Sequence, residues 1–161
     1  VVVPGTFDPV TLGHMDVISR KHKLFPRVTV AVAASVNKRG RGTAFTLEER
    51  VEMLRQALAE EGLSDVEVLP FTGLLVDFCH GIGALGVVKG LRAMTDFEYE
   101  LQQADLNCHM APDIESVFVM SNPKYGYVSS SIVREISSMG SDVSSLVPPC
   151  VNQRLREHYC A

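Results

Sequence analysis

Short apolar runs alternate with longer amphipathic stretches along this chain, and that rhythm restricts the fold more than any other feature. The runs are Val1–Val3, Val28–Ala34, Val66–Phe71, Leu85–Leu91 and Ser116–Met120. The second, "VTVAVAA", has almost no polar position, as expected of a strand covered on both faces. Helical spacing fills the intervals at about Gly13–Phe25, Thr46–Gly62, Gly73–Gly83 and Thr95–Met110. A Ser-capped helix at Ser129–Gly140 and a C-terminal helix beyond Pro148-Pro149 complete the pattern. In the first helix Met15, Ile18 and Phe25 share a face; in the second, Val51, Leu54 and Leu58 form the inner stripe. Thr46 with Glu49, and Thr95 with Glu98, have capping-box spacing, and Gly62 is a stop signal. Glu48, Glu49, Arg50 and Glu52 lie off the inner stripe and read as solvated surface. Strands and helices in alternation imply βαβ units with right-handed crossovers. The expectation is an α/β, Rossmann-like, doubly wound five-stranded parallel sheet with helices on both faces. No repeat or linker divides the chain, so residues 1–161 read as a single domain.

The totals exclude several classes of function. With 46% hydrophobic residues among 161, the chain has material for a packed core. A formal net charge of −4 argues against broad nucleic-acid binding, which needs a basic surplus. Cys79, Cys108, Cys150 and Cys160 form no CxxC pair, so neither a zinc site nor a disulfide scaffold is expected. His22, His80, His109 and His158 show no metal spacing. No apolar run approaches the ~18 residues that span a bilayer, and no signal peptide is expected. A cytoplasmic protein without a membrane partner is expected.

In open parallel sheets, ligands bind beyond the carboxyl ends of the strands. After the first strand comes Pro4-Gly5-Thr6-Phe7-Asp8-Pro9 and then Gly13-His14; after the second, Ser35-Val36-Asn37-Lys38. After the third comes Thr72-Gly73-Leu74-Leu75; after the fourth, Lys89-Gly90-Leu91-Arg92; after the fifth, "SNPKYGYVSSS". Taken alone, each has an ordinary explanation: a histidine at a helix start is usually a surface or capping residue, and serines cap helices. Taken together they converge on one edge of the sheet, and their chemistry suits phosphate. Glycines admit a bulky anion, helix N-termini donate N–H groups, and lysine and arginine add charge. There is no G-x-G-x-x-G after the first strand, no G-x-x-x-x-G-K-[ST] and no G-x-S-x-G. The common dinucleotide, P-loop and hydrolase readings lose their support.

"PGTFDPVTLGH", with Thr11-Leu12-Gly13-His14 at its end, resembles the signature of the nucleotidyltransferase superfamily with a T/HxGH motif. "VSSSIVRE" (Val128–Glu135) resembles that superfamily's second signature. "FTLEER", "KGLRAMTDFEYE" and "ESVFVM" narrow the likeness to bacterial phosphopantetheine adenylyltransferases, over essentially the whole chain. The resemblance implies transfer of the adenylyl group of ATP to 4′-phosphopantetheine, with Mg²⁺, in coenzyme A biosynthesis. His14, Lys38 and Arg92 would be catalytic. Thr6, Phe7, His14, Gly90, Leu91, Arg92, Glu100, Tyr125, Gly126, Tyr127, Val128, Ser129, Ser130 and Ser131 would hold ATP. Thr6, Lys38, Leu75 and Lys89 would hold phosphopantetheine. The family pattern also implies a homohexamer and coenzyme A as a competing ligand. A related transferase acting on nicotinamide mononucleotide or a polyol phosphate is the alternative.

Overall fold

The computed structural model describes residues 1–34, 42–92 and 94–159, with the backbone alone at 94–96. Five strands, β1 (Val2–Gly5), β2 (Thr29–Ala33), β3 (Glu67–Phe71), β4 (Gly86–Leu91) and β5 (Glu115–Met120), pair in parallel in the order β3-β2-β1-β4-β5. Their connections carry α1 (Leu12–Leu24), α2 (Leu47–Glu60), α3 (Leu75–Gly81) and α4 (Met94–Met110). A 3₁₀ turn (Pro123–Tyr125), α5 (Ser130–Ser138) and α6 (Pro149–Tyr159) follow β5. The expected Rossmann-like sheet is therefore present. Its order reverses between β1 and β4, where a ligand crevice opens in such folds.

The continuous apolar runs are explained by two cores, one on each face. Val3, Val30, Val32 and Val68 pack with Ile18 of α1, Leu54 and Leu58 of α2, Val133 of α5 and Leu155 of α6. Val2, Ala31 and Val87 point the other way, against Val76 and Cys79 of α3 and Ala111 and Ile114 after α4. Successive strand residues thus serve opposite layers, as the period of two requires. The α2 capping box forms as spaced: Thr46 N–H donates to Glu49 Oε2 at 2.8 Å, and Glu49 N–H to Thr46 Oγ1 at 3.2 Å. Gly62 follows the helix at φ +73°, where a side chain would be strained. The second expected box, at Thr95, involves a side chain outside the described residues, as does Cys160. Among the described residues no helix is long and apolar enough to cross a membrane.

Two polar residues depart from the helical patterning. Arg50 does not lie on a solvated face: it is 2% exposed, because backbone carbonyls of distant segments surround its guanidinium. Lys21, three residues beyond Ile18 on the inner face of α1, is fully buried, and its Nζ has no hydrogen-bond partner among the described residues. Burial, followed by the charges of Lys89 and Arg20, lowers its pKa from 10.5 to about 7.

Candidate active site

A cavity of about 500 Å³ opens at the carboxyl edge of the sheet, between the β1–α1 turn, the end of β4, α4 and the start of α5. Its position at the strand reversal follows from the topology. The end of β1 supplies Gly5, the β1–α1 turn supplies Thr6, Phe7 and Asp8, and His14 in the first turn of α1 faces the same space.

His14 is held by its own helix start. Thr11 is the N-cap, and His14 occupies the third helical position, where a capping box usually has Glu or Gln. Thr11 N–H donates to His14 Nδ1 at 3.0 Å, and His14 N–H reaches Thr11 Oγ1 at 3.4 Å. Because Nδ1 accepts, the ring proton belongs on Nε2. Burial, and then the charge of Arg92, lowers the His14 pKa from 6.5 to about 4, so the ring is neutral at physiological pH. The Phe7 and His14 rings meet in a T-shaped contact with centroids 5.1 Å apart. Phe7 takes a φ of +49°, in the left-handed region that a bulky side chain rarely occupies. Gly5 makes room for that ring, since a Cβ there would lie 2.8 Å from Phe7 Cζ.

The turn is anchored at both ends. Arg50 Nη1 donates to Thr6 O at 2.7 Å. Arg134 Nη1 donates to Asp8 O and lies 3.3 Å from Asp8 Oδ2. The buried Asp8 carboxylate also accepts from Ala44 N–H at 2.9 Å and Phe45 N–H at 3.0 Å. Ser129 caps α5 through Ile132 N–H, and Ser130 Oγ donates to Pro9 O at 2.7 Å, so the two helix starts are tied across the crevice. On the far wall Lys89 Nζ stands 3.1 Å from Glu100 Oε2, and Arg92 Nη1 donates to Val128 O at 2.9 Å. Gly90 lets α1 approach: a Cβ there would lie 2.8 Å from Val17 Cγ2. The described wall carries Lys89, Arg92 and Arg134 against Asp8 and Glu100, a cationic balance suited to phosphate.

The pattern of the cytidylyltransferase-like family matches residues 2–136 of this chain. A phosphopantetheine adenylyltransferase from Nocardioides sp. is 48% identical over 160 residues, covering 99% of this chain and 97% of its relative. One from Thermobifida fusca is 50% identical over 159 residues, covering 99% and 93%. The chain belongs to the phosphopantetheine adenylyltransferase family. Solved structures share the fold at low identity. One is a bifunctional NMN adenylyltransferase/ADP ribose pyrophosphatase from Francisella tularensis, at TM-score 0.72 and 15% identity over 99% of this chain and 49% of that one. Another is a lipopolysaccharide core biosynthesis protein from Thermoplasma volcanium, at TM-score 0.55 and 17% identity over 75% and 95%.

Of the residues expected to form a phosphopantetheine adenylyltransferase site, Thr6, Phe7, His14, Lys89, Gly90, Arg92, Glu100, Tyr125, Val128, Ser129, Ser130 and Ser131 line the cavity. Leu75, Leu91, Gly126 and Tyr127 do not. Leu75 packs toward the second core, the Leu91 side chain is buried, and Tyr127 is 69% exposed. Lys38 lies outside the described residues. Asp8, Tyr99, Ser121 and Arg134 also line the cavity, and the sequence reading did not select them. Arg134 falls within the "VSSSIVRE" signature and could have been chosen from it. Asp8 stands inside "PGTFDP", but its partners are in another segment.

Proposed function

We propose that this protein transfers the adenylyl group of ATP to 4′-phosphopantetheine, giving dephospho-coenzyme A and pyrophosphate. The observation that carries the reading is the neutral His14, its Nδ1 occupied by Thr11, at the head of a crevice shared by two helix starts and a cationic wall. Family membership supports it. The acceptor phosphate is already an anion, so no general base is needed, and alignment with charge stabilisation suffices. A histidine with its proton on Nε2 serves as a donor to the α-phosphate, and one donor of this kind is typically worth ~10²–10³ in rate. Arg92 and the serines of α5 hold the triphosphate, with Phe7 and Glu100 completing the nucleotide side. Thr6 faces both substrates, and Lys89, with Lys38, takes the acceptor phosphate.

Magnesium fits this site as an ion carried by the triphosphate. Among the described residues no three His, Cys, Asp or Glu side chains are grouped to cage a metal. Asp8 is taken up by Arg134 and two N–H groups, and Glu100 by Lys89. Phosphate oxygens and waters supply the ligands, as a small, strongly hydrated ion prefers. The proposal extends to the hexamer, to competition by coenzyme A and to a cytoplasmic location. The test is pyrophosphate release from ATP with 4′-phosphopantetheine, compared with nicotinamide mononucleotide. Turnover with the first alone is expected; turnover with the second alone would overturn the assignment.

A further inference from the structure

We propose that Arg50 is a positioning residue that sets the His14 ring through the strained turn at Phe7. The inference rests on the reaction proposed above. Arg50 is on α2, outside the cavity wall, and among the residues expected to meet substrate it holds Thr6, through that residue's backbone carbonyl. Its Nε and Nη1 both donate to carbonyls. Nε donates to Phe45 O and Thr46 O, both at 3.2 Å, and Nη1 donates to Thr6 O at 2.7 Å and Ala33 O at 2.9 Å.

Those last two carbonyls lie where neighbouring strands part. The register pairs Gly5 of β1 with Val32 of β2, so Thr6 and Ala33 are one step beyond the final rung. No ladder N–H serves them from each other, and a planar guanidinium reaches both with a single nitrogen. The consequence falls on Phe7. Its left-handed backbone is of the strained kind that persists only when neighbours fix it. Thr6 O is fixed by Arg50 on one side and Asp8 O by Arg134 on the other. Releasing Thr6 frees Phe7 to relax, and the Phe7 ring is what leans on His14.

The test uses Arg50→Met and Arg50→Lys, with Arg55→Met as a control. Arg55 lies on the same helix and also donates to a strand carbonyl, Val68 O at 2.9 Å, but lines no part of the cavity. Two readouts are taken well below each variant's melting temperature: kcat with separate KM values, and ¹⁵N chemical shifts of the His14 ring. Arg50→Met should lower kcat by about 10–100-fold, the scale of a small misplacement, and should shift the His14 ring signals. ATP KM should stay within about threefold. Arg50→Lys should restore only part of kcat, because an ammonium lacks the planar fork. Arg55→Met should lose stability while keeping kcat and the ring signals. If Arg50→Met does not fold, Arg50→Lys is judged by the same two readouts. A kcat within about twofold of wild type, or unmoved His14 signals, would overturn the proposal. Wild-type protein inactive with phosphopantetheine would refute the proposed reaction instead, and the ring signals would still decide the role of Arg50.

Discussion

Replacing Lys21 with methionine should stabilise this protein, by an amount that shrinks as the pH rises. The Lys21 side chain is fully buried and its Nζ has no partner among the described residues. Its pKa falls from 10.5 in the unfolded chain to about 7 in the fold, first through burial and then through Lys89 and Arg20. Between those values the unfolded chain binds the proton more tightly, so protonation opposes folding. The penalty is complete below pH 7, fades through the window and is gone above 10.5. A fall from 10.5 to about 7, at about 1.4 kcal/mol per pH unit, is worth about 5 kcal/mol at low pH. By the same relation about 4 kcal/mol remains at pH 7 and about 1 kcal/mol at pH 10. A neutral amine without a partner adds a roughly constant ~1–3 kcal/mol. Methionine has a similar length, no branch and no donor, so it fills the same channel. Urea midpoints for both proteins at each pH from 6 to 10 give the difference directly, because other titrations cancel. A gain that does not change with pH, or a methionine variant less stable than wild type, would refute the reasoning.

Three further outcomes follow from the site. His14→Ala should lower kcat by ~10²–10³ with little change in ATP affinity, measured by steady-state kinetics and calorimetry. Because the folded His14 pKa lies near 4, below the 6.5 of the unfolded chain, His14 adds stability that is present above pH 6.5 and lost as the pH falls toward 4. His14→Gln should remove that acid sensitivity, seen as a flatter urea midpoint between those values. Gly90→Ala should cost about 1–3 kcal/mol, since the new methyl meets Val17 Cγ2 at 2.8 Å. Val17→Ala in the same chain should recover part of it; additive losses in a double-mutant cycle would contradict the contact.

The sheet was legible because its signal is periodic and local. Val2 and Val3 serve opposite cores, and a run of such residues reads as a doubly covered strand. The first strand extends past its expected end at Val3, because pairing with β2 continues through Pro4–Ala31 and Gly5–Val32. Proline donates no ladder bond, which is what stops the strand in a sequence reading. Pairing of β1 with β4 is confined to Val2–Val87, so the edge toward β4 is open where Pro4 falls. Residues whose environment comes from far along the chain were not legible. Arg50 reads as solvated by helical spacing, yet its partners Thr6 and Ala33 are 44 and 17 residues away. Lys21 is buried although nothing local in the sequence marks it, and Lys89, expected to offer its charge to phosphate, is paired with Glu100. Polarity predicts exposure only while no distant carbonyl or charge competes with water for the group.

The turn at Thr11 to His14 shows why part of the site was nonetheless readable. Its spacing satisfies two requirements at once. A capping box needs an acceptor at the third helical position, and glutamate would fill that role with a charge. At the head of a crevice proposed to gather phosphates, a carboxylate would repel what the helix start and its cations attract. Histidine resolves the conflict. Its Nδ1 completes the cap by accepting from Thr11, and this leaves the ring's one proton on Nε2 as a donor. The cap therefore sets the tautomer, and burial beside Arg92 keeps the ring from gaining a second proton near neutrality. A local helix-start rule and the requirement of the proposed catalytic role converge on the same three-residue interval. That interval can be seen in sequence, whereas the arginine that fixes the neighbouring turn is visible only once the chain has folded.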